Sequence, residues 1–171
     1  MLCYNIMPDK TRHPDIAFRE HDHRRCQRQN LSAAARLCAD RNLRLTSRRR
    51  QVFEILLASH RPMGAYDVLA ELNRKWPQER IAPPIVYRAL EFLLGEGLIH
   101  RIESKNAFIS CVQPGDCRGA RFLICRDCDR VAELAGGDGG WLSGADDIGF
   151  AVDHSVVEIT GVCAECQQDA G

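Results

Sequence analysis

Two C-x-x-C pairs, Cys125-Arg-Asp-Cys128 and Cys163-Ala-Glu-Cys166, constrain this chain more than any other feature. Each turn aims two thiolates at one point, and four thiolates in a tetrahedron make a closed zinc cage. Between Cys128 and Cys163 lie 34 residues, a longer gap than in a compact zinc ribbon, so a small sheet must bring the pairs together. A redox C-x-x-C normally stands alone at the start of a helix, and in the sequence neither pair opens an evident one. Nine cysteines is an odd count, which fits a disulfide framework poorly. No apolar stretch approaches the length of a membrane span, and MLCYNIMPDKTRHPD lacks the apolar centre of a secretory signal. The expectation is a cytoplasmic protein with reduced cysteines, holding one structural zinc per chain on Cys125, Cys128, Cys163 and Cys166.

Net charge is zero but unevenly spread. Residues 1–105 carry 19 Lys and Arg against 12 Asp and Glu, a balance of +7; residues 106–171 carry 4 against 11, a balance of −7. A basic front half suits a polyanionic partner. Residues 1–28 are polar, rich in Arg and His and without periodicity, the pattern of a flexible arm. The arm contains His13, His21, His23 and Cys26, and HDHRRC looks chelate-like, but a charged arm is the simpler reading.

Asn30 is placed to cap a helix over LSAAARLCADRN, in which Cys38 is a small core residue. Thr46 or Ser47 caps the next, with Val52, Phe53, Leu56 and Leu57 as its buried stripe. AYDVLAELNRKW is amphipathic again, with Val68, Leu69 and Leu72 inward and Pro77 helping to end it. In IAPPIVYRALEFLLGEGLIHRIE, Pro83 and Pro84 suit a helix entry. Ile85, Ala89, Phe92 and Leu93 gather on one side of that helix, and Tyr87, Arg88 and Glu91 form a separate polar arc. LIHRIES and NAFISC then flank Lys105-Asn106 as a short hairpin. Helices followed by a hairpin is the order of a winged helix-turn-helix. In that fold the helix from Pro84 to about Gly95 enters the major groove of double-stranded DNA, with Tyr87 and Arg88 toward the bases.

In the rear half, FLICRDC and RVAEL read as short strands around a turn. LAGGDGGWLSGADD is glycine-rich, so a helix there should be short or irregular. FAVDHSVVEITG reads as a longer strand leading into the second cysteine pair. No H-E-x-x-H, nucleophile motif or Gly-rich phosphate loop is present, so the chain is not expected to be an enzyme or to take a small organic ligand.

Taken in order, RLCADRNLRLTSRRRQVFEIL, GAYDVLAEL, APPIVYRALEFLLGEGLIHRIES, FLICRDCDRVAEL and VVEITGVCAEC resemble the ferric uptake regulator superfamily, and within it the zinc uptake regulator branch, over about residues 31–168. The resemblance implies an α+β chain. A winged helix-turn-helix DNA-binding domain would occupy residues 29–112, with wing and hinge at about 98–112. A small α/β dimerisation domain with the four-cysteine zinc would occupy residues 113–171. It implies a homodimeric repressor that binds inverted-repeat operator DNA when zinc-loaded and controls zinc uptake genes. Arg49 matches the family's arginine after LT; with Arg48 and Arg50 it would grip phosphates. A regulatory zinc, one per chain, would use His100, Cys111 and Glu133. Where the branch has a further His, this chain reads PGDCRGAR, so Cys117 is the expected substitute and Asp116 the alternative. His154 is expected to be structural, because the neighbouring HH-x-H cluster of the iron branch is absent. The rival functions are a family regulator answering another divalent metal and, from a different class, a zinc-stabilised adaptor binding only protein.

Overall fold

A computed structural model describes residue 18 and residues 22–112, 114–115, 120–134, 143–153 and 155–169. The front lobe runs α1 (His23–Asp40), α2 (Ser47–Leu57), α3 (Ala65–Lys75), α4 (Pro83–Gly95), then β1 (Ile99–Ile102) and β2 (Ala107–Ser110). The rear lobe runs β3 (Ala120–Cys125), β4 (Val131–Leu134), α5 (Ser143–Asp147), β5 (Val156–Gly161) and α6 (Ala164–Asp169). Among the described residues no helix is long and apolar enough to cross a membrane.

Helix α1 starts earlier than the sequence suggests. Asp22 is its cap, accepting from the Arg25 N–H at 3.0 Å, so residues 23–28, assigned above to the arm, form its first turns. Asn30, expected to be the cap, is buried within the helix, where its amide donates to the Cys26 carbonyl at 3.0 Å. Thr46 caps α2 as expected, accepting from the Arg49 N–H, and Val52, Phe53, Ile55, Leu56 and Leu57 are buried.

Pro83 and Pro84 start α4, which buries Val86, Ala89, Leu90 and Leu93. Ile85, expected inside, is 40% exposed, and Phe92 is only half-buried. The helix is apolar at 85, 86, 89, 90, 92, 93 and 94, so periodicity allows more than one stripe. Packing against α2, α3 and β1 selects the i, i+3, i+4, i+7 set beginning at Val86. The outcome leaves Ile85, Tyr87, Arg88 and Glu91 on the outside. Phe53, Leu56, Leu72, Leu90, Leu93 and Leu98 form the centre of this lobe's core, each contributing about 1.5–3 kcal/mol by leaving water.

Strands β1 and β2 pair antiparallel from Ile99↔Ser110 to Ile102↔Ala107. Asn106 adopts φ 46° in their turn, a conformation that Asn tolerates better than most residues. Backbone hydrogen bonds in both directions between Met63 and Phe108 tie the hairpin to the entry of α3.

The rear sheet has the order β4-β3-β5, with β3 antiparallel to β4 and parallel to β5. The strand expected over FAVDHSVVEITG is shorter: residues 150–153 are irregular and exposed. Phe122 on β3 lies opposite Glu133 on β4 and Glu158 on β5, so the three share one face. On that face Ala120, Phe122, Ile124 and Val131 pack with Ile102 and Ile109 of the hairpin in a second apolar cluster that joins the lobes.

Candidate functional site

The parallel pairing of β3 with β5 explains how the distant cysteine pairs meet. It sets the C-terminal ends of both strands side by side, Cys125 opposite Gly161, and the Arg126 N–H donates to the Gly161 carbonyl at 2.9 Å. The Sγ atoms of Cys125, Cys128, Cys163 and Cys166 all lie within 4.8 Å of one another, and Cys128 and Cys163 are 3.8 Å apart. Four zinc–sulfur bonds of about 2.3 Å in a tetrahedron place the sulfurs roughly 3.8 Å apart, so the residues present fit the ion.

Local donors favour thiolates at two of these sulfurs. Burial pushes the Cys125 thiol up, but the backbone N–H groups of Cys163, Cys128 and Asp127 outweigh it and bring the pKa down to about 6. Burial likewise opposes ionisation of Cys128, yet its pKa is lowered, chiefly by the Arg130 guanidinium, whose Nε donates to Sγ at 3.4 Å. Arg130 is in turn paired with Glu165, which stands between the two cysteines of the second pair. The neighbouring Cys163 sulfur, and then burial, raise Cys166. The second pair does open a helix, α6, which starts at Ala164 directly after Cys163. The convergence of four sulfurs, rather than the absence of a helix, distinguishes the arrangement from a redox pair.

A second cluster lies where the lobes meet. His100 comes from β1, Cys111 follows β2, and Glu133 comes from β4; one donor atom from each lies within 4.8 Å of the others. His100 Nε2 is 3.0 Å from Glu133 Oε1, Cys111 Sγ is 3.9 Å from the same oxygen, and the Val112 N–H donates to Oε2 at 2.8 Å. His100 is 6% and Cys111 1% exposed, and the imidazole stands edge-on to Phe122 at 5.1 Å. One nitrogen, one sulfur and one carboxylate oxygen form a mixed set that suits zinc, and the thiolate disfavours harder cations. Cys117, Asp116 and His154 lie outside the described residues, as do His13 and His21. His23 and Cys26 belong to α1, with the His23 ring against that of His60 at 4.9 Å.

The linker after Cys111 is anchored on the front lobe. Cys111 N–H donates to Leu98 at 2.9 Å, and Gly115 N–H donates to Gly97 at 3.1 Å. A Cβ at Gly115, where φ is +95°, would meet Leu37 at 2.5 Å, so glycine is required at that approach.

On the outer face of α4, Tyr87, at 43% exposure, stands out beside exposed Arg88 and Glu91. The three arginines of α2 are engaged within the chain. Arg48 pairs with Glu79 at 2.5 Å and bonds Gln51; Arg50 pairs with Glu54 at 2.8 Å. Arg49 donates to the Arg44 carbonyl at 2.7 Å and lies 3.5 Å over the Phe92 ring. Sequence reasoning missed Arg130 and Glu158. Proximity to Cys128 could have singled out Arg130; nothing local marks Glu158, whose carboxylate reaches the hairpin turn.

Comparison with known proteins extends this picture. The ferric uptake regulator family model matches residues 40–138. The zinc uptake regulation protein of Escherichia coli (strain K12) is 38% identical over 147 residues, 80% of each chain. A zinc uptake regulator complexed with zinc and DNA superposes with a TM-score of 0.76 at 34% identity, covering 84% of this chain and 97% of that one. Holo XcZur superposes at 0.71 with 36% identity, covering 81% and 96%. The apo form of XcZur superposes at 0.51 with 34% identity, covering 84% and 99%. The conformation of this chain therefore follows that holo structure more closely than the apo one.

Proposed function

The chain belongs to the ferric uptake regulator family, and from that premise we propose that it is a zinc-responsive repressor of zinc uptake genes, acting in the cytoplasm. It binds inverted-repeat operator DNA as a homodimer. In this proposal residues 29–112 read DNA and residues 113–171 pair the subunits. The relatives named for zinc uptake regulation, one of them bound to zinc and DNA, support the function. Exposed Ile148, Phe150, Val156 and Ile159 on the rear lobe support pairing with a second copy.

Cys125, Cys128, Cys163 and Cys166 would hold the structural zinc and join the ends of β3 and β5. His100, Cys111 and Glu133 would hold the regulatory zinc, with Cys117 or Asp116 as the fourth donor. The observation that carries the proposal is the placement of this trio: two donors move with the hairpin and the third with the rear sheet. Bound zinc supplies a cation that bonds to both lobes at once.

Leu98 connects α4 to β1 almost directly, so the orientation of the hairpin is also that of α4. Fixing His100 and Cys111 relative to Glu133 thus fixes each α4 relative to its dimer partner's. Tyr87 and Arg88 then address bases, Arg88 by bidentate bonds to guanine and Tyr87 by contact with a thymine methyl. Arg48 and Arg50 exchange Glu79 and Glu54 for phosphates, while Arg49 reaches the backbone from a position braced on Phe92. If this arrangement alone fits the operator, zinc and DNA strengthen each other's binding reciprocally, by about 1–3 kcal/mol or roughly 5–150-fold.

The test is a gel shift on an inverted-repeat duplex, selected from random sequence by the zinc-loaded protein. A chelator that removes the second zinc but leaves the first should abolish the shifted band. Equal retardation with and without chelator would reject the proposal.

A further inference from the structure

Two carboxylates flank Phe122 on one face of the rear sheet, Glu133 on β4 and Glu158 on β5. Both reach the β1–β2 hairpin, but at opposite ends. Glu133 meets the open end through His100 and the Val112 N–H. Glu158 meets the closed end, accepting from the backbone N–H groups of Glu103 at 2.6 Å and Ser104 at 3.2 Å. Lys105 in the same turn pairs with Asp129 at 2.6 Å. Ile102, Ile109 and Phe122 fill the space between the two ends. A carboxylate holding two consecutive amides makes a charge-assisted contact, stronger than one between neutral groups. Among the described residues, Glu133 stands within a group that could hold a metal ion and Glu158 does not.

We propose that Glu158 is a positioning residue for the regulatory site: a metal-independent latch between the hairpin turn and β5. It rests on the regulatory role proposed above for His100, Cys111 and Glu133. With the latch closed, loss of the second zinc frees the lobes at the Glu133 end, and the Glu158 end remains as the pivot. The donors then stay close to their binding arrangement in the metal-poor protein. Without the latch the lobes spread over more arrangements, and apparent zinc affinity falls with the fraction that remains competent.

The test compares residue-resolved hydrogen exchange in protein holding only its four-cysteine zinc and in protein holding both. The Glu103 and Ser104 amides should stay protected in both states, whereas protection of the Val112 amide should drop when the second zinc is absent. Equal deprotection at all three amides would overturn the pivot. Glu158→Ala should accelerate exchange at Glu103 and Ser104 in both states. It should also weaken the second zinc about tenfold, about 1.4 kcal/mol, with the first zinc retained. Glu158→Gln, which keeps one acceptor oxygen, should fall between Ala and wild type. An Ala variant with unchanged exchange and unchanged second-zinc affinity overturns the proposal. If that variant fails to fold, the wild-type comparison decides alone. None of these readouts uses DNA, so a latch that fails is distinguishable from a repressor assignment that fails.

Discussion

Replacing Glu133 with Gln separates the two tasks of its carboxylate. The amide oxygen can still accept from the Val112 N–H, which now lies 2.8 Å from Oε2, and side-chain volume is kept. Stability of the metal-poor protein should therefore change by less than about 1 kcal/mol. Metal binding should suffer far more, because an anionic donor becomes neutral beside His100 and Cys111, which are only 6% and 1% exposed. Changing a group that merely supports a ligand typically lowers metal affinity about 10–100-fold. Losing a charged ligand should therefore reduce it by at least about 100-fold, or about 2.7 kcal/mol. Competition against a chromophoric chelator, on protein that retains the four-cysteine zinc, measures the affinity; thermal melting measures the stability. A Gln variant with wild-type second-zinc affinity would refute the assignment of Glu133 as a ligand.

Arg88→Ala should cost about 1–3 kcal/mol of operator binding and relax preference at one base position, checked by binding to single-base operator variants. Arg50→Ala should weaken binding to all sequences alike and lower the salt slope by about 1, measured over a salt series. In zinc-free protein the depressed Cys125 pKa makes its thiolate a stabilising group fully effective above the usual 9.0 and lost as pH falls through about 6. Ultraviolet thiolate absorbance should accordingly show one step near pH 6, and a first step only near pH 9 would contradict the donors assigned to it.

Legibility of the chain in sequence followed the range of the interactions concerned. The two C-x-x-C turns are local signatures, and the sequence alone required a sheet to unite them; that the sheet does so by a parallel β3–β5 pair depends on long-range pairing. His100, Cys111 and Glu133 were picked out by resemblance, because their convergence rests on packing of the hairpin against Phe122. Ile85 was misplaced because α4 is apolar around most of its circumference and only tertiary contacts choose the buried stripe. Asn30 has a good cap residue's chemistry, but the Arg-rich turns before it hid a helix already begun at Asp22. Glu158 carried no signal at all, since its partners are main-chain amides from the other lobe.

The coupling between the lobes is tested most directly by titrating zinc into protein that holds only its four-cysteine zinc while following binding to the selected inverted-repeat duplex. Affinity should rise steeply as the second zinc binds, by roughly 5–150-fold per coupled event, and the duplex should tighten that zinc by the same factor. A flat response, with the second site filling and DNA affinity unchanged, would contradict the mechanism.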